Sequence, residues 1–149
     1  MKFAITITAL TLTACATGPQ IPAVPDVPVP VKSQLSARTL APGDCGLFVW
    51  STDAQKRFIL FTDASGQKAV WHDGSRETRL TSLTPFAGIA PKQRFESGAL
   101  VLSLDLRSPQ IIDQGTRYKA GILKKKDSLA ETDERVTPVV GLSSCSASG

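Results

Sequence analysis

Alternation of apolar and polar side chains marks a half-buried β-strand, and it recurs through most of this chain beyond residue 45. The cleanest stretch is Ala99–Leu106, where Leu100, Leu102, Leu104 and Leu106 share one face and Ser103 and Asp105 take the other. Gly46–Trp50 is a short apolar run, and Arg57–Thr62 is another, closed by the turn-forming Asp63-Ala64-Ser65-Gly66. Lys68–His72 runs into Asp73-Gly74, a two-residue hairpin signal, and Ser75–Ser82 returns. These four segments read as an antiparallel meander. Thr116–Lys124 continues in strand style, with Tyr118, Ala120 and Ile122 on one parity. Val136–Cys145 is the last strand, and Pro138 places its start at an edge or a bulge. No segment carries a helical period of useful length; Asp127–Arg135 reads as a polar loop with room for one turn. Seven or eight strands at roughly 8–12-residue spacing specify an all-β domain, a small antiparallel barrel or sandwich.

Upstream the pattern changes. Prolines stand at 19, 22, 25, 28, 30 and 42. Each lacks a backbone donor and restricts the residue before it, so neither a helix nor a central strand can form there. Pro25-Asp26-Val27-Pro28-Val29-Pro30 suits extended polyproline II, a semi-rigid spacer rising about 3.1 Å per residue. The expected division is a signal over 1–14, a Pro-rich, otherwise disordered linker over 15–42, a β-domain over 43–145 and a tail over 146–149.

The first residues are neither strand nor span. Ile5 and Ile7 fall on one parity and Leu10 and Leu12 on the other, so one regular strand cannot bury all four. Lys2 precedes an uncharged, mostly apolar run from Phe3 to Ala14, shorter than the about 20 residues a membrane helix needs. It fits the apolar core of a secretory signal. Leu12-Thr13-Ala14-Cys15 resembles the lipobox of bacterial lipoprotein precursors. That resemblance implies cleavage between Ala14 and Cys15, a diacylglyceryl group on the Cys15 thiol, and acylation, such as by palmitate, of the new amino terminus. Ala16 follows in place of an aspartate, which by the same resemblance points to an outer-membrane anchor facing the periplasm, with the inner membrane or cell surface as alternatives.

Lipidation would also resolve the cysteine count. The chain has three cysteines, an odd number for an exported protein. With Cys15 consumed, Cys45 and Cys145 remain at the margins of the β-domain, in a compartment where disulfides persist. A bond between them requires the first and last strands to lie side by side; two buried free thiols are the alternative.

Chemistry is sparse. His72 is the only histidine, so a zinc site or a hydrolase triad has little to build on, and no metal or cofactor is expected. His72-Asp73 reads as a hairpin end beside a turn aspartate before it reads as a dyad. Most acids fall in turns, as Asp53, Asp63, Asp73, Asp127 and Asp133 do, where solvated turn formers are the default. The formal charge of +4 is a mild excess that does not indicate a nucleic-acid partner. Lys124, Lys125 and Lys126 form the one basic run, a candidate contact for anionic lipid or an acidic partner. Trp50, Trp71 and Tyr118 are candidates for a ligand mouth or for barrel core.

"DQGTRYKAG" is similar to a segment of the membrane-bound inhibitors of C-type lysozyme, with Gly115 and Tyr118 at the matching spacing. That resemblance implies an eight-stranded barrel that inserts a loop serine and a tyrosine into the lysozyme cleft. Ile112 stands where that family carries its serine, and Gly121-Ile122-Leu123-Lys124 where it carries a tryptophan segment. The expected function is that of a membrane-anchored, non-catalytic envelope lipoprotein whose β-domain binds an envelope protein or cell-wall component. A lysozyme inhibitor and an enzyme of unrecognised type are the alternatives.

Overall fold

The structure is a computed structural model and describes residues 33–84, 89–129 and 134–147. The readings placed on the signal, on Ala14 and Cys15, and on the proline run up to residue 32 lie outside the described residues. Eight strands follow one another: β1 (Cys45–Ser51), β2 (Phe58–Asp63), β3 (Lys68–His72), β4 (Glu77–Ser82), β5 (Lys92–Ser97), β6 (Leu100–Ile112), β7 (Gly115–Asp127) and β8 (Arg135–Cys145). Each pairs antiparallel with the next, and β8 returns to β1, so the sheet is a closed meander barrel rather than a sandwich. Closure runs over a continuous register from Cys45↔Cys145 to Ser51↔Val139. The two cysteines are disulfide-bonded across that seam, joining the first and last strands covalently.

Inward positions fill the barrel. Leu47 and Val49 of β1, Leu60 of β2, Phe95 of β5, Leu102 of β6 and Val139 of β8 are fully buried, and Trp71, Leu80, Leu104, Leu106, Tyr118 and Leu123 pack with them. Thr62 is buried among them, and its Oγ1 donates to the Lys68 carbonyl at 2.9 Å, which offsets the cost of an unpaired polar group in the core.

Four local features depart from the pattern reading. β5 carries only Gln93 and Phe95 inward, between exposed Lys92, Arg94 and Glu96; a strand with one large apolar residue leaves almost no hydrophobic period to detect. The β3–β4 turn closes with Asp73 N donating to Arg76 O, so its tip is Gly74-Ser75, one residue beyond Asp73-Gly74. In β7 the residue sharing the core with Tyr118 is Leu123, and Ala120 is exposed and Ile122 only half-buried. The cause is a register shift between Tyr118 and Ile122 against β8; one extra residue in a bulge turns every later side chain to the opposite face. Pro138 pairs with Ile122 at that irregularity, where its missing donor costs least.

The fourth departure is upstream. Residues 34–41, inside the expected linker, lie as a strap on the barrel. Leu35 is 2% exposed and its N donates to Phe58 O at 2.8 Å. Arg38 stacks over Phe61 and pairs with Glu77, and Ser146 Oγ donates to Ala41 O. The folded unit therefore reaches further upstream than residue 43.

Candidate binding site at the barrel mouth

One end of the barrel is lined by polar side chains. A cavity of about 240 Å³ opens there between the last residues of β1, β3 and β7 and the first of β8, with Ile59, Trp71 and Leu123 below and Arg57, Lys125, Arg135, Thr137 and His72 around it. The lysine run explains part of this. A strand sends alternate side chains to opposite faces, so Lys124 pairs with Glu134 at 2.8 Å, Lys126 is exposed, and Lys125 faces the mouth, its Nζ 5.5 Å from the Trp71 ring centroid. Lys125 is also the register partner of Arg135 on β8.

Arg57 enters from the β1–β2 loop, which its partner Asp53 organises. Asp53 Oδ1 accepts from Gln55 N and Lys56 N, both at 3.1 Å, and Oδ2 accepts from Arg57 Nε at 3.2 Å and Nη2 at 2.6 Å. The Arg57 hydrogen bonds hold the Asp53 carboxyl below its ordinary value. Ser51 Oγ, buried at the end of β1, accepts from Arg57 N at 3.0 Å.

His72 is buried, and its Nδ1 accepts from Gly74 N at 3.0 Å. Asp73 turns away into its own loop. Its Oδ1 accepts from Ser75 Oγ at 2.6 Å, Ser75 N at 2.7 Å and Arg76 N at 2.9 Å. Burial pushes the Asp73 carboxyl up, but those hydrogen bonds and the Arg76 charge outweigh it and bring it down to about 2. The adjacent His–Asp pair is thus a turn motif in which each partner is engaged by backbone N–H groups.

Asp73 gives a pH prediction with a defined sign. Its folded value lies below its ordinary 3.8, so its contribution is fully present above that value and is lost as pH falls through about 2. Asp73→Ala is expected to cost about 2 kcal/mol at pH 7, the scale of hydrogen bonds to a charged acceptor. The gap between parent and variant in urea titrations should shrink as pH falls from about 4 through about 2; a gap undiminished at pH 2 would contradict this origin.

The remaining sequence candidates fall elsewhere. Trp50 lies on the outer face, in an aromatic cluster with Phe48 (centroids 6.1 Å apart) and Phe58 (5.5 Å). With Leu142 and the strap these rings line an external groove of about 690 Å³. Tyr118 is 9% exposed and belongs to the core. Gly115 opens β7 at φ 147°, and a Cβ there would stand 1.9 Å from the Ser143 carbonyl oxygen, so its role is close backbone packing at the hairpin. Of the candidate binding residues, only Trp71 and Lys125 meet at the mouth. Arg57, Ser51, Arg135 and Thr137 carried no sequence signal, because their convergence depends on the β1–β8 and β7–β8 registers.

The chain is thus a closed eight-stranded antiparallel barrel with a cationic mouth. Compared with protein-family models, with curated proteins and with solved structures, it matches none. Among the described residues, no three His, Cys, Asp or Glu side chains converge to hold a metal ion.

Proposed function

We propose that the chain is an exported lipoprotein, anchored by lipid at Cys15 to the outer membrane and facing the periplasm, whose barrel is a non-catalytic module that binds another envelope component. The observation that carries this reading is the Cys45–Cys145 bond across the closing seam. A disulfide joining the terminal strands is what a chain maturing in an oxidising compartment would carry, and it accounts for the two cysteines that lipidation would leave. The barrel mouth is the natural place for recognition, since mouths of small barrels are common ligand sites. His72 and Asp73 are engaged by backbone donors within their own turn, which favours binding over acid–base chemistry. The muramidase-inhibitor reading needs an exposed tyrosine at the β6–β7 hairpin, and the burial of Tyr118 gives it no support.

A photoreactive amino acid at Ser75, on the rim of the mouth, tests the binding role in cells. Irradiation is expected to yield one dominant adduct with an envelope protein or cell-wall fragment. No adduct above that of the unirradiated control would contradict it.

A further inference from the structure

We propose that the barrel mouth is an oxyanion site, which takes the carboxylate or phosphate group of a small ligand between Lys125, Arg135 and Arg57. This deepens the binding-module reading and rests on it. Its starting point is the register: Lys125 and Arg135 stand directly opposite each other on β7 and β8. Like charges in that position repel and destabilise a sheet. Among the described residues, neither has a carboxylate within the 4.0 Å of an ion pair. Their neighbour Glu134 is committed to Lys124.

Arg57 adds a third positive charge to the same cavity. Asp53 occupies its Nε and Nη2, and Nη1 lies beside Gly74, 3.5 Å from where a Cβ would stand. An Arg held by one edge is pre-oriented to use the other on a planar oxyanion. The face of Trp71 holds Lys125 at the mouth by cation–π attraction, and Thr137 brings a hydroxyl. Among the described residues the one carboxylate lining this cavity is Asp73, whose Oδ1 is filled by Ser75 and Arg76. On the opposite rim a second cavity shares Trp71, Asp73 and Lys125 and adds two acids, Glu77 and Asp127, beside two arginines, Arg76 and Arg79, so its charges balance. The excess of positive charge, and with it the anion, falls on the β7–β8 side, where Lys125, Arg135 and Arg57 face Asp73. At about 30 Å³ per water, 240 Å³ holds a small oxyanion group and the few atoms that carry it.

The test uses the full chain in detergent with Trp50→Phe, which leaves Trp71 as the sole tryptophan of the two in the sequence. Trp71 emission is titrated with inorganic phosphate and, separately, with succinate, sodium chloride holding ionic strength constant. A saturable change with a millimolar or lower midpoint is expected for at least one probe, and the stronger responder assigns phosphate or carboxylate as the recognised group. Lys125→Gln with Arg135→Gln should weaken that response at least tenfold. Without an anion the same variant should melt no lower than its parent, because the repulsion is gone. Responses that merely follow chloride overturn the inference, as does saturation unchanged in the double variant. A flat titration beside a strong in-cell adduct at Ser75 would remove the anion and keep the binding module; if both are silent, both fall.

Discussion

Replacing Cys45 and Cys145 together by alanine is expected to lower the free energy of unfolding by about 4–5 kcal/mol. The bond closes a loop with a sequence separation of 100 residues, and in the chain-entropy model a loop of that size is worth about 4.7 kcal/mol. The effect acts mostly on the unfolded chain, which the crosslink keeps compact. The native seam has its own ladder, since β1 and β8 are in register over their whole facing lengths, so the variant should still close its barrel. The loss is nonetheless a large fraction of the roughly 5–15 kcal/mol that stabilises an ordinary domain. Urea unfolding under non-reducing conditions measures it. The midpoint should fall steeply and the slope should rise, because the uncrosslinked unfolded state exposes more surface. A loss below about 1 kcal/mol would mean that the bond adds little to a seam already closed by backbone pairing.

Phe95→Ala is expected to cost about 3–5 kcal/mol, the range for removing a fully buried aromatic ring. Phe95 is 0% exposed and, with Leu102 opposite it on β6, fills the middle of the core. Its strand is the one most dependent on a single side chain. Among the described residues β4 and β5 share only the pairs Thr81↔Glu96 and Ser82↔Phe95, extended by Leu83 N donating to Arg94 O. A cavity at Phe95 should therefore open this seam before any other. Equilibrium unfolding gives the magnitude, and hydrogen exchange gives the location: amides of β4 and β5 should lose protection first. Uniform loss of protection around the barrel would contradict that placement.

Much of the architecture is legible in the letters where one face of a strand is apolar. Leu100, Leu102, Leu104 and Leu106 announce β6, and Lys68–His72 matches β3 residue for residue. The disulfide follows from cysteine arithmetic and in turn points to adjacent terminal strands. β5 stays hidden because the barrel asks only Gln93 and Phe95 of it. The phase of β7 is misread beyond Tyr118 because a bulge has no signature in side-chain alternation. The strap is missed because Leu35 is one apolar residue in a polar neighbourhood, and only the backbone bond to Phe58 reveals its anchorage.

The mouth was less legible than the fold. Trp71 and Lys125 stand out by residue type, and cation–π contact brings them together. Arg57, Arg135 and Thr137 are ordinary strand-end residues in the sequence, and only barrel closure makes them neighbours. The same closure places Trp50 outside the barrel and Tyr118 with Trp71 in its core, and of the three rings only Trp71 reaches the mouth.

The most direct measurement is the mass of the protein isolated from its own cells under non-reducing conditions, followed by peptide mapping. A tethered, exported barrel should begin at Cys15, carry a diacylglyceryl group and an amide-linked acyl chain there, and yield a linked Cys45–Cys145 peptide. A product that begins at Met1 without acyl groups, or that carries free thiols at 45 and 145, would contradict both the compartment and the covalent clasp.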